Sequence, residues 1–334
     1  MKKRITVVGG GAWGTALAVQ AVRAGEDVEL ILRNEELADR INTKGENDLY
    51  LPGIELPGAL RATTHYEGLR DSDAVLLVTP AQHLRETLIK LSSHWPNTLP
   101  AVICCKGIEK ETGALMAQVV SETLGNVPVA VLSGPTFAKE VAIGLPAAIT
   151  LACEDRALGK RLVELIGTPE FRPYFSTDVA GVEVAGAIKN VLAIASGVVA
   201  GLKLGDNARA ALITRGIAEM SRLAVAMGGR VETMLGLAGL GDLTLTCTGT
   251  LSRNYTFGVE LGEGRKAQDI LAERRSVTEG VHTAASITAV ASKYGVEMPI
   301  CAAVDQVANH DADLRSTINA LLQRPFRDEL ENAD

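Results

Sequence analysis

Aromatic residues are scarce in this sequence, where five Phe, five Tyr and two Trp make up 4% of the chain. Proteins that bind single-stranded nucleic acid stack bases on aromatic side chains, so this scarcity argues against that class. A basic surplus is missing as well, because 33 Lys and Arg stand against 40 Asp and Glu, a net charge of −7. Nucleic-acid-binding domains are usually basic. We therefore expect no nucleic-acid partner, although local sites for small anions remain possible.

Cysteine pairs with metal-binding spacing are also absent. The five cysteines lie at positions 104, 105, 153, 247 and 301, and no C-x-x-C occurs. Their odd number and irregular spacing predict free thiols in a reducing compartment. The five histidines are scattered and add no metal-ligand spacing. The sequence therefore predicts a cytoplasmic protein that holds no metal ion.

A long uncharged apolar run is missing too. The most apolar stretch runs from Val182 to Leu202, but Lys189 interrupts it and leaves 13 uncharged residues from Asn190 to Leu202. A membrane-spanning helix needs about 20 apolar residues. We therefore expect no integral membrane segment.

The pattern of apolar residues changes near residue 177 of the 334. Before this point short β-rich runs alternate with helical patterns, which is typical of βαβ units in a doubly wound parallel sheet. The predicted strands are Ile5–Gly9, Val28–Leu32, Ala74–Thr79, Ala101–Cys105, Val129–Ser133 and Ala148–Ala152. The later predicted helices are Val179–Ala200, Ala208–Met227, Thr283–Tyr294 and Ile300–Ala308. We predict an α/β protein with a dinucleotide-binding domain at 1–177, an all-helical substrate domain at 178–334, and a ligand cleft between them.

The first predicted strand runs into a glycine-rich segment, Gly9-Gly10-Gly11-Ala12-Trp13-Gly14, which contains G-x-G-x-x-G. A strand before the motif and a helix after it are the context in which it binds a dinucleotide. Gly9 would allow the tight turn, Gly11 would let a pyrophosphate approach the backbone, and Gly14 would let the helix pack on the strand. The free N–H groups at the helix start would face the anion. A generic glycine-rich turn is the alternative.

The second predicted strand ends near Arg33. A NAD site often has an acidic residue at this place for the 2′-hydroxyl of the ribose. Arg33 offers a cation instead, which suits the 2′-phosphate of NADP. We therefore expect a preference for NADPH with NADH possible, and a solvated surface arginine is the alternative.

Lys106 and the segment Ser133–Glu140 follow two later strands. Ligands of such sheets bind outside the carboxyl ends of the strands, so Lys106 is placed to meet a cofactor or substrate unless it is a surface lysine. Ser133 and Pro135 are typical of a helix start. That start would either offer backbone N–H groups at the same sheet edge or serve as a simple cap.

Lys189 lies on an apolar face of a predicted helix. Its neighbours at helical spacing are Ala185, Gly186, Leu192 and Ala193, all of which are small or apolar. Partial desolvation favours the neutral amine, so Lys189 is a candidate acid or base. The alternative is a lysine whose stem packs on apolar surface while its charge reaches water.

Two polar segments follow in the helical half. Asp242 comes directly after the glycine-rich turn 236–241, where it is either a site residue or a helix N-cap. Ser252, Arg253 and Asn254 precede a helical run. A cation at a helix N-terminus is a natural phosphate site. A serine cap followed by a surface arginine is the alternative.

One pair of charges in this half is predicted to lie on the surface. Arg215 and Glu219 are four residues apart, the spacing at which opposite charges support an exposed helix. We therefore expect both side chains to face solvent.

Taken together and in this order, the motifs resemble those of the bacterial NAD(P)-dependent glycerol-3-phosphate dehydrogenases, over about residues 5 to 322. The segments that carry the resemblance are Gly9–Leu17, Lys106-Gly107, Ser133–Glu140, Ile188-Lys189-Asn190, Gly239–Leu243 and Ser252-Arg253-Asn254. The resemblance implies a Rossmann-like domain followed by a helical one, assembled as a homodimer. It also implies reversible reduction of dihydroxyacetone phosphate to sn-glycerol 3-phosphate, which supplies the glycerol backbone of phospholipids.

The resemblance implies roles for individual residues. Lys189 would be the catalytic acid or base, with Lys106 stabilising the developing oxyanion and Asp242 orienting Lys189. The residues implied to bind substrate are Lys106, Gly134, Thr136, Lys189, Asp242, Thr246, Ser252, Arg253 and Asn254. Those implied to bind the cofactor are Gly9, Gly11, Ala12, Trp13, Gly14, Arg33, Lys106, Ala138, Arg253, Val277 and Glu279. Cys104-Cys105, directly before Lys106, departs from the pattern, because a hydroxyl residue is expected beside the lysine.

Two other functions share parts of this pattern. Ketopantoate reductases and 6-phosphogluconate-type dehydrogenases also pair a Rossmann domain with a helical one, and fold alone does not separate them. The segment 252–254 favours a small phosphorylated ketone as substrate. A regulator that binds NADP(H) without catalysis would need no lysine on an apolar helix face.

Overall fold

One eight-stranded sheet organises the N-terminal part of the computed structural model, which describes residues 2–274 and 278–326. The strands are β1 (Arg4–Val8), β2 (Asp27–Ile31), β3 (Arg61–Thr63), β4 (Ala74–Leu77), β5 (Ala101–Ile103), β6 (Val129–Ser133), β7 (Ala147–Ala152) and β8 (Phe171–Ser176). Their order across the sheet is β3-β2-β1-β4-β5-β6-β7-β8. Neighbours run parallel except β6 and β7, which are antiparallel.

The two strands that the sequence analysis did not predict are the edges of this sheet. β3 has three residues, and β8 contains Pro173 and alternates between buried and exposed positions. Edge strands are short or polar and tolerate proline because one side of their backbone has no partner strand. Both therefore lack the continuous apolar run by which the six inner strands were predicted.

Helices cover both faces of the sheet. They are α1 (Ala12–Arg23), α2 (Glu35–Lys44), α3 (Leu84–Leu91), α4 (Met116–Leu124), α5 (Ala138–Ile143) and α6 (Arg156–Ile166). The buried residues of α1, α2 and α6 share one core cluster, and those of α3 and α4 share another. The chain passes from one face of the sheet to the other between β3 and β4, and β4 pairs with β1, so a crevice opens between the carboxyl ends of β1 and β4.

The C-terminal part of the described chain is helical. Its helices are α7 (Val179–Gly201), α8 (Asp206–Ala226), α9 (Val231–Met234), α10 (Asp242–Thr248), α11 (Arg253–Gly262), α12 (Ala267–Glu273), α13 (Glu279–Lys293), α14 (Pro299–Asn309) and α15 (Leu314–Leu322). A π-helical turn, Leu237–Gly241, leads directly into α10. The fold class is therefore the predicted one, a Rossmann-like sheet followed by helices. The predicted division at 177/178 falls between β8 and α7, and as a domain boundary it stays a prediction.

α7 is the central helix of this part and is buried along almost its whole length. It touches α11 backbone to backbone, because a Cβ added at Gly197 or Gly258 would lie 2.0 Å from a carbonyl oxygen of the facing helix. Glycine permits such close packing of two helices. Because neighbouring elements cover α7 on all sides, most of its residues are apolar. By length and composition α7 could cross a membrane, but 83% of its most apolar 18-residue stretch is buried inside the protein.

The predicted surface pair on α8 is wrong for its acidic member. Glu219 is 2% exposed and accepts hydrogen bonds from the N–H groups of Ile300 and Cys301 at 2.7 and 3.2 Å. These are donors of the first turn of α14, which begins at Pro299 and has no side-chain cap of its own. Burial raises the pKa of Glu219. The i,i+4 spacing could not reveal that a second helix covers this face of α8.

Candidate active site

The glycine-rich segment forms the turn between β1 and α1, and its three motif glycines differ in their surroundings. Gly9 has φ +121°, and a Cβ there would lie 2.8 Å from the Val78 carbonyl carbon. A Cβ on Gly14 would lie 1.8 Å from the Gly9 oxygen, whereas one on Gly11 would meet nothing within 4 Å. Gly11 is also the N-cap of α1 and supplies no side-chain oxygen to its first N–H groups. An open surface lined by free N–H groups fits a pyrophosphate.

The other predicted cofactor residues lie along the same edge or start a helix. Arg33 is exposed just beyond β2, and its guanidinium makes no hydrogen bond or ion pair to any described residue. Trp13 is half-buried, with an indole N–H that has no partner in the described part of the chain. Ala12 and Ala138 begin α1 and α5. Val277 lies outside the described residues.

Two lysines and one aspartate meet at the carboxyl end of β5 and β6. Asp242 is 0% exposed, and each of its carboxylate oxygens accepts from a different lysine. Lys106 Nζ lies 2.6 Å from one oxygen, and Lys189 Nζ donates to the other. Thr246, one turn further along α10, accepts from Lys189 Nζ at 3.0 Å and donates to the Asp242 carbonyl at 2.6 Å.

Three separate elements bring these groups together. Lys106 follows β5 by three residues, Lys189 lies mid-way along α7, and Asp242 is the first residue of α10. The π-helical turn before α10 sets the direction of that first residue, and such turns often occur at functional sites. Asp242 therefore binds two lysines instead of capping its own helix.

Burial dominates the electrostatics of Lys189. It lowers the pKa of Lys189 to about 8, and the charge of Lys106 acts in the same direction while Asp242 opposes both. The side chain is 8% exposed, and its ammonium group is paired inside the protein. The alternative of a lysine that reaches out to water is therefore wrong.

The segment after β6 faces Lys106 through its backbone. The Gly134 carbonyl accepts from Lys106 Nζ at 3.3 Å and from the Thr136 hydroxyl at 3.2 Å. Gly134 has φ +159°, and a Cβ there would lie 3.0 Å from the Ile149 Cα of β7. α5 begins at Ala138, three residues later than Pro135 suggested.

The predicted phosphate segment starts α11. Ser252 accepts from the Tyr255 N–H at 3.2 Å as the N-cap, as the alternative interpretation held for that residue. Arg253 is exposed, with no hydrogen bond or ion pair from its guanidinium to a described residue. The buried amide of Asn254 donates to Asn190 Oδ1 at 2.9 Å and accepts from Gly280 N–H at 3.0 Å.

Glu279 is the first residue of α13. Burial raises its pKa, and the charges of Arg253, Lys106 and Lys189 oppose the rise. Asn190, which the sequence analysis quoted without a role, links the helix of Lys189 to α11. Its polar amide next to Lys189 on an apolar helix is the signal that would have identified it.

The thiol beside Lys106 does not replace a hydroxyl in this network. Cys105 is half-buried and makes no hydrogen bond to a described residue, and burial raises its pKa well above the usual range. The thiol is therefore neutral. Within residues 2–274 and 278–326, no group of three or more His, Cys, Asp and Glu side chains is arranged to hold a metal ion.

The arrangement combines a helix start with free N–H groups and a buried lysine paired with a carboxylate. A lysine with a pKa near 8 can donate a proton at neutral pH and accept one back. A second ammonium group next to it can stabilise negative charge on an oxygen. These are the requirements for interconverting a carbonyl and an alcohol beside a hydride carrier.

Comparison with known proteins agrees with this chemistry. Residues 4–159 match the N-terminus of NAD-dependent glycerol-3-phosphate dehydrogenase, and residues 178–319 match its C-terminus. A protein of Rhodospirillum rubrum called glycerol-3-phosphate dehydrogenase [NAD(P)+] is 55% identical over 97% of this chain and 93% of its own. One of Parvibaculum lavamentivorans with the same name is 50% identical over 98% of both.

A solved structure extends the agreement to three dimensions. Glycerol-3-phosphate dehydrogenase from Coxiella burnetii superposes with a TM-score of 0.93 at 39% identity, covering 97% of this chain and 99% of that one. Two family matches on successive parts of the chain, and relatives at half identity over nearly full length, decide the assignment. The chain belongs to the NAD-dependent glycerol-3-phosphate dehydrogenase family.

Proposed function

We propose that this protein reversibly reduces dihydroxyacetone phosphate to sn-glycerol 3-phosphate, and so supplies the glycerol backbone of phospholipids. One observation carries the proposal: Lys189 and Lys106 share the buried carboxylate of Asp242 at the same sheet edge as the glycine-rich turn. A non-catalytic NADP(H)-binding regulator has no use for a buried lysine with a lowered pKa. Family membership favours this reaction over those of ketopantoate and 6-phosphogluconate-type enzymes.

The side chains would divide the work of the reduction. The nicotinamide cofactor, when bound, supplies the hydride. Lys189 donates a proton to the carbonyl oxygen as negative charge grows there, and Lys106 stabilises that charge. Asp242 holds both ammonium groups in place, and its charge keeps Lys189 protonated near neutral pH.

The phosphate of the substrate would bind at the start of α11. Arg253 is exposed there and its guanidinium makes no hydrogen bond or ion pair to a described residue, so it is available for a charge-assisted bond. Asn254 ties this helix start to Asn190, the neighbour of Lys189. Binding of the remote phosphate would therefore help to orient the carbonyl toward Lys189. Gly134 and Thr136 would line the same site beside Lys106.

The cofactor would lie along the glycine-rich turn, with NADPH preferred over NADH. Arg33 is the basis of this preference, because it is exposed beyond β2 and unpaired among the described residues. Arg33→Asp should weaken NADPH binding far more than NADH binding, measured as equilibrium Kd. Arg215→Asp, at an exposed arginine on α8, is the matched control. An equal effect on both cofactors would remove Arg33 from the 2′-phosphate site.

A direct assay tests the reaction. Purified protein, NADPH and dihydroxyacetone phosphate should together lose absorbance at the reduced-nicotinamide band, and omission of any one should abolish the loss. Ketopantoate and unphosphorylated dihydroxyacetone are each assayed in place of dihydroxyacetone phosphate as alternative substrates. A faster reaction with ketopantoate, or none with any ketone, would overturn the proposal.

Three further features belong to the proposal. The chain would comprise a cofactor domain at 1–177 and a substrate domain at 178–334, work in the cytoplasm, and assemble as a homodimer. Light scattering coupled to size-exclusion chromatography tests the last point. A mass of one chain at working concentration would refute the dimer.

A further inference from the structure

Asn47 lies outside every motif discussed so far, in the connection between α2 and β3. It is 0% exposed. Its amide nitrogen donates to the Gly10 carbonyl at 3.0 Å and to the Thr15 hydroxyl at 2.7 Å. Its amide oxygen accepts from the Tyr50 N–H at 3.2 Å. One buried side chain therefore joins the 45–56 loop to both the glycine-rich turn and α1.

The hydrogen-bond partners of Asn47 determine the orientation of its side-chain amide. A backbone carbonyl can only accept and a backbone N–H can only donate. The nitrogen of Asn47 must therefore face Gly10 and its oxygen must face Tyr50. Aspartate, alanine and leucine cannot reproduce both halves of this arrangement.

The loop that carries Asn47 is itself well held. Leu56 N–H donates to the Gly45 carbonyl at 2.8 Å, and Gly53 N–H donates to Glu46 Oε1 at 2.8 Å. Leu51, four residues after Asn47, is 4% exposed and belongs to the main core of the sheet. The loop therefore presents Asn47 from a fixed position.

The Gly10 residue is confined from another direction as well. A Cβ added to Gly10 would lie 2.7 Å from Leu32 Cβ, so the residue that follows β2 packs against this part of the turn. Thr15, the other partner of Asn47, is 0% exposed on α1. Asn47 and Leu32 together restrict the orientation of the Gly10 peptide. The backbone N–H groups that follow Gly10 in the turn are therefore held in a fixed direction as well.

We propose that Asn47 is a positioning residue for the dinucleotide: by holding the Gly10 carbonyl and Thr15, it preorganises the turn 9–14 to bind the pyrophosphate. The inference rests on the proposed cofactor site at this turn. Preorganisation raises affinity by removing an ordering cost from binding. The role is specific to cofactor affinity, because Asn47 contacts none of the residues assigned to the substrate.

Calorimetric titration of the free enzyme with NADPH tests the proposal without relying on turnover. Asn47→Ala removes the hydrogen bonds to Gly10 and Thr15 and should raise the Kd for NADPH about tenfold, because part of the net contribution of these bonds would be lost from binding as preorganisation. Asn47→Asp should raise it further, since a carboxylate would repel the Gly10 carbonyl and place negative charge close to an anion site. Raised salt should narrow the gap between the two variants. At saturating NADPH, kcat and the KM for dihydroxyacetone phosphate should stay within twofold of wild type.

Asn42 provides the matched control. Its amide also bridges to backbone, donating to the Ala62 carbonyl at 2.8 Å and accepting from the Ala62 N–H at 2.9 Å, but it faces β3 instead of the glycine-rich turn. Asn42→Ala should lower thermal stability and leave the Kd for NADPH unchanged. If Asn47→Ala does not fold, Thr15→Val removes one acceptor of the same amide and should raise the Kd about threefold.

The outcomes separate this inference from the site on which it rests. If the Kd of Asn47→Ala for NADPH is within twofold of wild type while Gly11→Ala loses much of its NADPH affinity, the role of Asn47 is overturned and the proposed cofactor site is still supported. Normal NADPH binding by Gly11→Ala overturns the site itself. Equal losses of NADPH affinity in the Asn47→Ala and Asn42→Ala variants would show a general effect of destabilisation and overturn the positioning role.

Discussion

The two halves of the proposed active site are built in different ways. The proposed cofactor turn is formed by six consecutive residues, 9–14, and would bind through backbone N–H groups and the absence of side chains. The proposed proton-transfer cluster consists of three charged side chains, and Asp242 is 53 residues from Lys189 and 136 from Lys106. The first half can therefore be read as a local pattern, whereas the second exists only when the helices pack on the sheet.

The comparison also separates two kinds of energetic cost. The turn costs conformational entropy, because glycine has more backbone freedom in the unfolded chain than other residues and loses it on folding. The cluster places two ammonium groups and one carboxylate where almost no water reaches them, and a buried ion pair is weak evidence for stability. In our proposal the reaction accounts for the place of this cluster in the core of the molecule.

The largest effect should come from Lys189→Met. The change removes the proton donor but keeps the length and apolar character of the stem, so kcat should fall about 10²–10⁴-fold. Asp242 keeps Lys106 and Thr246 as partners, so the variant should fold with a stability loss of about 1–3 kcal/mol. Single-turnover kinetics and thermal unfolding measure the two effects.

Lys160→Met, at an exposed position on α6, controls for the loss of a lysine charge. A near-normal kcat in Lys189→Met would refute the catalytic role. Failure to fold would instead assign Lys189 to structure, as a partner that the buried Asp242 requires.

The turn can be broken in two distinguishable ways. Gly14→Ala would place a methyl group 1.8 Å from the Gly9 oxygen and should lower both thermal stability and NADPH affinity, the latter at least about 100-fold. Gly11→Ala meets nothing within 4 Å and has an ordinary φ of −73°, so it should keep the stability of the free protein. Its methyl group would occupy the approach of the pyrophosphate and lower NADPH affinity. Similar thermal stability of the two variants would contradict the different constraints assigned to these glycines.

Arg253→Ala tests the proposed phosphate site at the start of α11. Loss of a charge-assisted phosphate contact should raise the KM for dihydroxyacetone phosphate about 10–100-fold. The Kd for NADPH should change less, because the glycine-rich turn carries most of the cofactor's contacts in our proposal. Steady-state kinetics at saturating NADPH and calorimetry provide the two numbers. An unchanged KM in a folded variant would exclude Arg253 from phosphate binding.

The smallest effect is a shift in pH dependence. Reduction needs protonated Lys189, so kcat/KM should fall as the pH rises through about 8, and oxidation should show the opposite limb. Asp242→Asn removes the anion that raises the pKa of Lys189, so the falling limb should move down by about one pH unit. A limb that stays in place would mean that another group donates the proton.

The inner strands and the glycine-rich turn could be predicted from sequence because their causes are local. Six buried strands show as apolar runs, and Gly9, Gly11 and Gly14 sit at the spacing that a tight strand–helix turn imposes. Lys189 could also be singled out, since its neighbours at helical spacing are small or apolar. The edge strands β3 and β8 could not be predicted, because half-exposed residues carry no such pattern.

Tertiary structure alone decided which charges meet. The family resemblance implied that Asp242 orients Lys189, but nothing within the segments of Lys106, Lys189 and Asp242 indicates that two lysines share one carboxylate. Nothing near Glu219 indicates that α14 covers it. Asn47 reaches Gly10 from 37 positions away. Spacing along the chain determines which residues share a face of one element, whereas contact between elements depends on how the whole core packs. By itself, then, the sequence determined the inner strands, the turn and the buried lysine, and only the packing decided which partners those groups have.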